Sequence, residues 1–442
     1  MTEINLKRYV YYGLGIGAVA LLGVAGAAAQ ISLSSTVALA LQNSTQVKIA
    51  SADVQRANAG ISEAKDVYIP NLVTGASPGP PSIGFPLGQP SLFNVQSQSL
   101  VYSFSQPDYI RAARAALKSA QLSLKDNQDQ VTLDCALAYI QLDTDTRKLA
   151  SLDEEKSAAE KLVSIERDRL NAGVDSRMDE TKAEITSAQI DINRLHTEDD
   201  VSDQRQKLAH LTGLPAASFI SNAKSIPPAP DFAGDDTLSD QAIASNSGVQ
   251  AAYANAKSKL DLSFGDEKQN YRPQFSFGTE YSRFASFNNY SEYYLHFRND
   301  NFGAAVQITL PLFDASRRAK ARESAAEARR AQIEADQAKN QTSEQAISLR
   351  HSLAELKEQQ HLAQLQSDYA QEQLETVRAE LKNGTGSLTT TPVTPKDEQL
   401  ASIQVQERYQ DVLNANLVLL RAQLSLMRSV GSIGDWVNSA VK

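Results

Sequence analysis

Two uninterrupted stretches constrain this chain most. From Asp108 to Ala172, and again from Ala315 to Asn383, there is no Pro and no Gly, the two residues that most readily end a helix. At 1.5 Å per residue, about 65 helical residues make a rod of roughly 100 Å, far longer than a globular domain requires. Leu117, Leu124, Val131 and Ala138 in the first stretch keep a seven-residue spacing, the period of supercoiled helices. Ala319, Ala326, Ile333, Ile347, Leu353, Leu356, Leu365 and Leu374 keep an apolar stripe along the second. The spacing drifts among many Ala and Gln positions, as expected of helices that meet neighbours on two sides, so coiled or barrel-like helix packing is expected.

The rods belong to a loose internal repeat. Tyr68-Ile69-Pro70 recurs as Tyr271-Arg272-Pro273, Phe104 as Phe313, Gly173 as Gly384, and Leu211-Thr212-Gly213 near Val430-Gly431, at offsets of 203, 209, 211 and about 218. Four matches in one order predict two copies. The first covers residues 30–213, with strands at about 71–83 and 95–104 and a long helix at about 107–171. The second covers 237–433, with strands at about 273–284 and 301–313 and a long helix at about 315–382. Residues 214–236, with Pro215, Pro227, Pro228 and Pro230, read as an extended linker at the middle of the molecule, and 434–442 as a C-terminal tail. Ser34 or Ser35 is expected to cap the first helix, which should end before Pro70. The return helices, about 178–212 and 400–430, are shorter than the rods; the first helix of each copy supplies the missing length if the two stack end to end.

Residues 1–29 read as a signal peptide: Lys7 and Arg8, an apolar stretch from Val10 to Ala25, then Ala27-Ala28-Ala29. The competing reading is an uncleaved anchor. No later stretch of eighteen residues is uninterruptedly apolar, so membrane entry would need strands. The formal charge of -9 opposes binding to nucleic acid. The single Cys135, between Leu133 and Leu137, is expected to be a packed thiol, and His196 and His210 lack the spacing of metal ligands. With neither a Walker loop nor a His-Glu-x-x-His motif, no catalytic, cofactor or metal site is expected.

The strands point to the environment. Phe302, Ala304, Val306, Ile308, Leu310 and Leu312 alternate with Gly303, Ala305, Gln307 and Thr309, the pattern of a strand between hydrocarbon and a wet interior. A half-buried soluble sheet gives the same alternation. Phe275, Phe277 and Tyr281 oppose Gln274, Ser276 and Glu280, and Leu100, Tyr102 and Phe104 are expected to share one face. Tyr281, Tyr290, Tyr293, Tyr294, Phe297 and Phe302 cluster as an aromatic girdle would. Phe302, Val306, Ile308 and Leu310 are the candidate lipid-facing residues. Two hairpins give four strands, too few to close a membrane barrel, and open edges are forbidden in lipid. Copies must therefore share one barrel, eight strands from two chains or twelve from three.

These residues resemble those of TolC-like outer membrane efflux proteins. The similarity runs from Gln30-Ile31-Ser32-Leu33 to Leu41 and from Ala64 to Pro70. It continues through Ala172-Gly173-Val174 with Ser176, Asp179 and Ala183 to Leu211-Thr212-Gly213-Leu214-Pro215, and includes Leu310-Pro311-Leu312-Phe313-Asp314 with Arg317-Arg318. It spans about residues 31–433. The family commonly has Gly where Ala315 or Ser316 stands here. The resemblance implies a mixed membrane β-barrel and long α-helical barrel, internally duplicated and closed by homotrimerisation. It implies a passive exit duct, not an enzyme, in the outer membrane of a Gram-negative-type bacterium. Its tube would lie in the periplasm and dock to a periplasmic adaptor and an inner membrane pump of RND, ABC or MFS type.

The resemblance also places the two helical turns at the tube's entrance. Gly173, Val174, Ser176, Asp179, Gly384 and Thr385 are the expected turn and adaptor contacts, though they could serve only to join helices. An inserted segment, 389–395, precedes Asp397 and Glu398, the candidate acidic constriction; helix capping by Asp397 is the competing role. Arg317, Arg318, Lys320 and Arg322 either meet lipid phosphate or form a solvated helix face. Two other classes remain open. An exported coiled-coil structural protein has no need of aromatic hairpins, and a general diffusion porin has no need of rods.

Overall fold

A computed structural model describes residues 31–77, 92–230, 232, 238–284, 299–383 and 393–439. The expected leader, the girdle residues Tyr290, Tyr293, Tyr294 and Phe297, the turn residues Gly384 and Thr385, and most of the segment 389–395 lie outside the described residues.

The first helix is two helices. α1 (Leu33–Asn43) stops at Ser44, whose ψ of 129° is extended, and α2 (Thr45–Asp66) resumes the run. Ser32 caps α1, not Ser34 or Ser35, because Ser32 has the extended backbone a cap needs and its hydroxyl accepts the Ser35 N–H at 3.3 Å. β1 (Val73–Ser77) and β2 (Leu92–Ser103) follow, then α3 (Gln106–Asn171) with Pro107 in its first turn, and α4 (Arg177–Thr212). After the Pro-rich crossing the same order returns: α5 (Leu238–Ser245), α6 (Ser247–Gln269), β3 (Gln274–Phe284), β4 (Asp300–Thr309), α7 (Ala315–Asn383) and α8 (Pro395–Val430). A short α9 (Ile433–Ser439) ends the described chain. β4 stops at Thr309, short of the expected 313; Pro311 cannot donate to a ladder.

The helices form one layer. Near the sheet α3 packs between α2 and α6, and α7 lies beyond α6. Farther along, α3 packs between α4 and α8, with α7 beyond α8. The Ser119 hydroxyl donates to the Ala251 carbonyl and the Ser258 hydroxyl to the Ala112 carbonyl, both at 2.8 Å, fastening the upper part of α3 to α6. Lower down, the Ser151 hydroxyl donates to the Gln406 side chain at 2.8 Å and the Gln410 amide to Glu155 at 2.6 Å, fastening α3 to α8.

In each half, the return helix meets the start of that half through an asparagine. The Asn43 amide donates to the Thr212 carbonyl at 2.7 Å, and the Asn246 amide to the Ser429 carbonyl at 3.3 Å. Each bond satisfies a carbonyl that a helix C-terminus leaves without an intrahelical donor. The largest core surrounds the first joint, with Leu33, Val37, Val131, Tyr139, Leu142, Leu208, Phe219, Leu424, Met427 and Trp436 buried together. The crossing segment is tied into it. The Tyr139 hydroxyl donates to the Ile31 carbonyl at 2.7 Å and accepts the Asn222 N–H at 2.8 Å, and the Trp436 indole donates to the Pro228 carbonyl at 3.2 Å. Cys135 is wholly buried in this core, and burial pushes its thiol up to about 12.

Candidate functional site

The four strands make one antiparallel sheet in the order β1-β2-β3-β4. Residues paired across an antiparallel ladder share a face. Phe275 lies opposite Ile308, Phe277 opposite Val306, and Tyr281 opposite Phe302, which gathers one apolar face. Gln274 opposite Thr309, Ser276 opposite Gln307 and Glu280 opposite Gly303 build the other. β2 adds Gln96 and Gln98 to the polar face, opposite Glu280 and Gly278. A hollow of about 430 Å³ lies on that face, lined by Gln96, Gln98, Ser276, Glu280 and Gln307 among others. The apolar side is uncovered, with Val306 64% and Ile308 63% exposed.

One sequence expectation needs correction. Leu100, Tyr102 and Phe104 do not share a face through β2, because the ladder shifts register between Leu100 and Tyr102. Leu100 pairs with Ser276 on the polar side while Tyr102 pairs with Phe275 on the apolar side. A bulge inserts one residue and so reverses the alternation that the spacing implies.

Each sheet edge is left with one neighbour. β1 pairs only with β2 and β4 only with β3, so both outer ladders present unpaired N–H and C=O groups. Where strands meet helices, Tyr68, Ile69, Leu72, Tyr102, Phe104, Tyr271, Leu310, Leu312 and Phe313 are all exposed. Arginines cover some of these rings. The Arg272 guanidinium lies 5.4 Å from the Phe104 ring and 5.2 Å from Tyr271, and Arg318 lies 5.0 Å from Phe313. Of the other basic residues expected here, Arg317 pairs with Asp314 at 3.1 Å and Lys320 with Glu323 at 3.1 Å.

Beneath the sheet is a buried polar knot that the sequence did not announce. Asp108 has no exposed surface and is bracketed by Arg111 and by Lys268, the latter at 2.7 Å. The Tyr109 hydroxyl donates to Asp266 at 2.8 Å, and burial followed by this carboxylate raises the phenol well above its ordinary range. An acid in a first helical turn is common for helix-dipole reasons alone, so nothing in the local sequence marks Asp108 as buried.

At the far ends of the rods the two turns are built alike. After α3, Gly173 adopts φ +71°, and the Val174 N–H reaches back to the Arg169 carbonyl at 2.9 Å. No atom crowds the position where a Cβ would stand, so the requirement for Gly173 is its left-handed backbone. Asp179 then accepts from the Ser176 N–H at 3.1 Å and hydroxyl at 2.7 Å, which holds its carboxyl below the usual range. Asp397 accepts from the Thr394 N–H at 2.8 Å and hydroxyl at 2.7 Å in the same manner. Glu398 accepts from Arg378 at 3.0 Å.

Lys396 joins the two turns. Its ammonium lies 2.5 Å from the buried Glu166 of α3 and 4.0 Å from Asp175, which Arg169 holds through two bonds of 2.5 and 3.0 Å. Beside this network, α7 and α8 leave a groove of about 500 Å³ whose lining includes Tyr369, Gln373, Thr376, Asp397, Leu400 and Gln404.

The chain thus joins a polar-faced, open-edged sheet to paired helical rods. Residues 36–214 match the family model of outer membrane efflux proteins. VceC, an outer membrane protein of Vibrio cholerae, has the same fold, with a TM-score of 0.73 at 17% identity, covering 90% of this chain and 96% of its own. The chain has a TolC-like channel fold. The Campylobacter jejuni outer membrane channel CmeC gives a TM-score of 0.73 at 12% identity, covering 93% of this chain and 89% of its own. The open state of the Neisseria gonorrhoeae outer membrane channel MtrE gives 0.65 at 16% identity, covering 90% and 89%. None of the curated protein sequences matches this chain. The TolC-like architecture thus spans both halves, whereas the family model matches the first.

Proposed function

We propose that the chain is a passive outer membrane exit duct that assembles as a homotrimer. It would serve a tripartite efflux or type I secretion system, with a periplasmic adaptor and an inner membrane pump of RND, ABC or MFS type. The observation that carries this reading is the four-stranded sheet with one polar face, one apolar face and two unpaired edges. Lipid offers no partner for backbone groups, so such a sheet is viable there only when closed. Phe302, Val306, Ile308 and Leu310 then face hydrocarbon, and Gln96, Gln98, Glu280 and Gln307 face the lumen.

The edge helices support closure by copies of the same chain. Met178, Ile185 and Ile192 on α4 are exposed at seven-residue intervals, as are Leu362 and Tyr369 on α7. Such stripes pack against a neighbouring helix, and farther from the sheet α4 and α7 are the outermost helices of the layer. A duplicated origin for 30–213 and 237–433 fits the recurring element order, the paired asparagine joints and the matching caps at Asp179 and Asp397. The far turns, with Val174 and Met178 exposed and a groove alongside, are the proposed adaptor contact. The caps and ion pairs at Asp397 and Glu398 favour capping over a charged constriction.

A strain lacking this chain tests the function. Retention of pump-exported compounds, with unchanged uptake of small solutes, is the expected result. Impaired uptake with normal export would favour a diffusion porin, and neither change would favour a structural role.

A further inference from the structure

On α7 the basic residues divide by partner. Lys320 pairs with Glu323 at 3.1 Å and Arg330 with Glu334 at 2.8 Å, and Lys259 of α6 reaches Glu327 at 2.9 Å. Arg318, Arg322 and Arg329 have no carboxylate partner among the described residues; the Arg318 guanidinium lies over the Phe313 ring. Spaced four and seven residues apart, these three lie on one helix face. They line a groove of about 960 Å³ between α6 and α7, whose floor and opposite wall include Ala325, Ala256, Leu260 and Phe264. Glu267 is the single acid on the lining. Leu260 and Phe264 are exposed although they sit in a helix layer.

The groove begins in the first turn of α7, at the junction of strand and helix. Arg318 stacks on Phe313, and Leu312 and Phe313, 84% and 75% exposed, are uncovered apolar residues between the end of β4 and the groove. The groove therefore begins where hydrocarbon ends, at the depth of lipid headgroups. Planar guanidiniums bind phosphate oxygens through paired hydrogen bonds, and unpaired basic residues beside an apolar surface attract anionic lipid.

We propose that this α6–α7 groove is a binding site for an anionic phospholipid of the inner leaflet. Arg318 and Arg322, one helical turn apart, hold its phosphodiester. Leu312 and Phe313, on the sheet side of Arg318, cover the glycerol and the upper acyl carbons, and the acidic headgroup runs down the groove past Phe264 toward Arg329. The lipid would fix the depth of the strand-to-helix junction against the membrane. This assignment rests on the outer membrane duct reading, which supplies the leaflet.

Native mass spectrometry of the full assembly tests it, after delipidation in detergent and addition of phosphatidylglycerol, phosphatidylcholine or inorganic phosphate. Phosphatidylglycerol should be retained at one molecule per chain in preference to phosphatidylcholine. The double variant Arg318→Gln, Arg322→Gln should retain it about tenfold less, the loss of one charge-assisted contact's worth of affinity, while Arg330→Gln should match the wild type. Equal retention of both lipids, equal retention by the double variant, or binding of inorganic phosphate without lipid preference would overturn the site. The same spectra report the oligomer. A trimer without lipid preference sinks the groove and leaves the duct, whereas a monomer with Arg318- and Arg322-dependent retention leaves the groove and sinks the duct.

Discussion

Asp397 shows how one side chain can be read two ways and how geometry weighs them. The spacing Thr394-x-x-Asp397 is a capping signature legible in sequence, and the carboxylate does accept both the Thr394 N–H and hydroxyl. Glu398 is likewise committed to Arg378. Replacing both with Ala should therefore cost about 1 kcal/mol of helix-end stability and leave ion selectivity unchanged in single-channel recordings at matched salt. Lost cation selectivity with the assembly intact would instead make them an entrance ring. Lys396 was not legible in this way. Its partner Glu166 lies in the other half of the chain, and no local spacing specifies an ion pair over that separation. The burial of Asp108 was equally hidden, since its partner Lys268 arrives from α6.

Among elements, the rods were the most legible because a helix is limited chiefly by Pro and Gly, and both are absent for more than sixty residues in each. The break at Ser44 was not, because neither residue marks it; the return helix of the same half fixes it through Asn43. Strands depend on partners, so their details came less fully. The alternation in β4 reads directly, but the bulge in β2 is a property of the β2–β3 ladder and not of either strand alone. The β4 faces give a sharp expectation. Val306→Arg or Ile308→Arg should each cost roughly 2 to 4 kcal/mol in a bilayer and block membrane assembly. Gln307→Arg, one step along on the hollow side, should be tolerated, since a single step reverses the face. Yields of heat-resistant oligomer in membrane fractions measure this, and equal yields for all three would place β4 outside the lipid.

At the scale of the whole molecule, closure is the unsolved requirement that the single chain poses. Four strands leave two open edges, and the outermost helices α4 and α7 leave two apolar stripes, so one neighbour on each side meets both needs at once. Sequence alone permits two chains or three, because either number closes a ring of strands. The tube must also close, and each chain contributes four helical columns at every level, α2, α3, α6 and α7 near the sheet and α4, α3, α8 and α7 beyond it. Two chains would offer eight strands and eight columns around the narrower lumen, and three would offer twelve of each around a wider one, so strands match helices in either case. The count does not choose between them; the resemblance to TolC-like proteins makes the proposed assembly a cyclic trimer, in which β4 pairs with β1 and α7 with α2 and α4 of the next chain. Light scattering with the detergent contribution subtracted should give the mass of three chains. A cysteine pair at an edge-helix stripe, such as Ile185→Cys with Leu362→Cys or Tyr369→Cys, should cross-link chains into a closed set ending at three. A ladder that stops at two, or a monodisperse monomer that keeps its sheet, would require another way of satisfying the edges of β1 and β4.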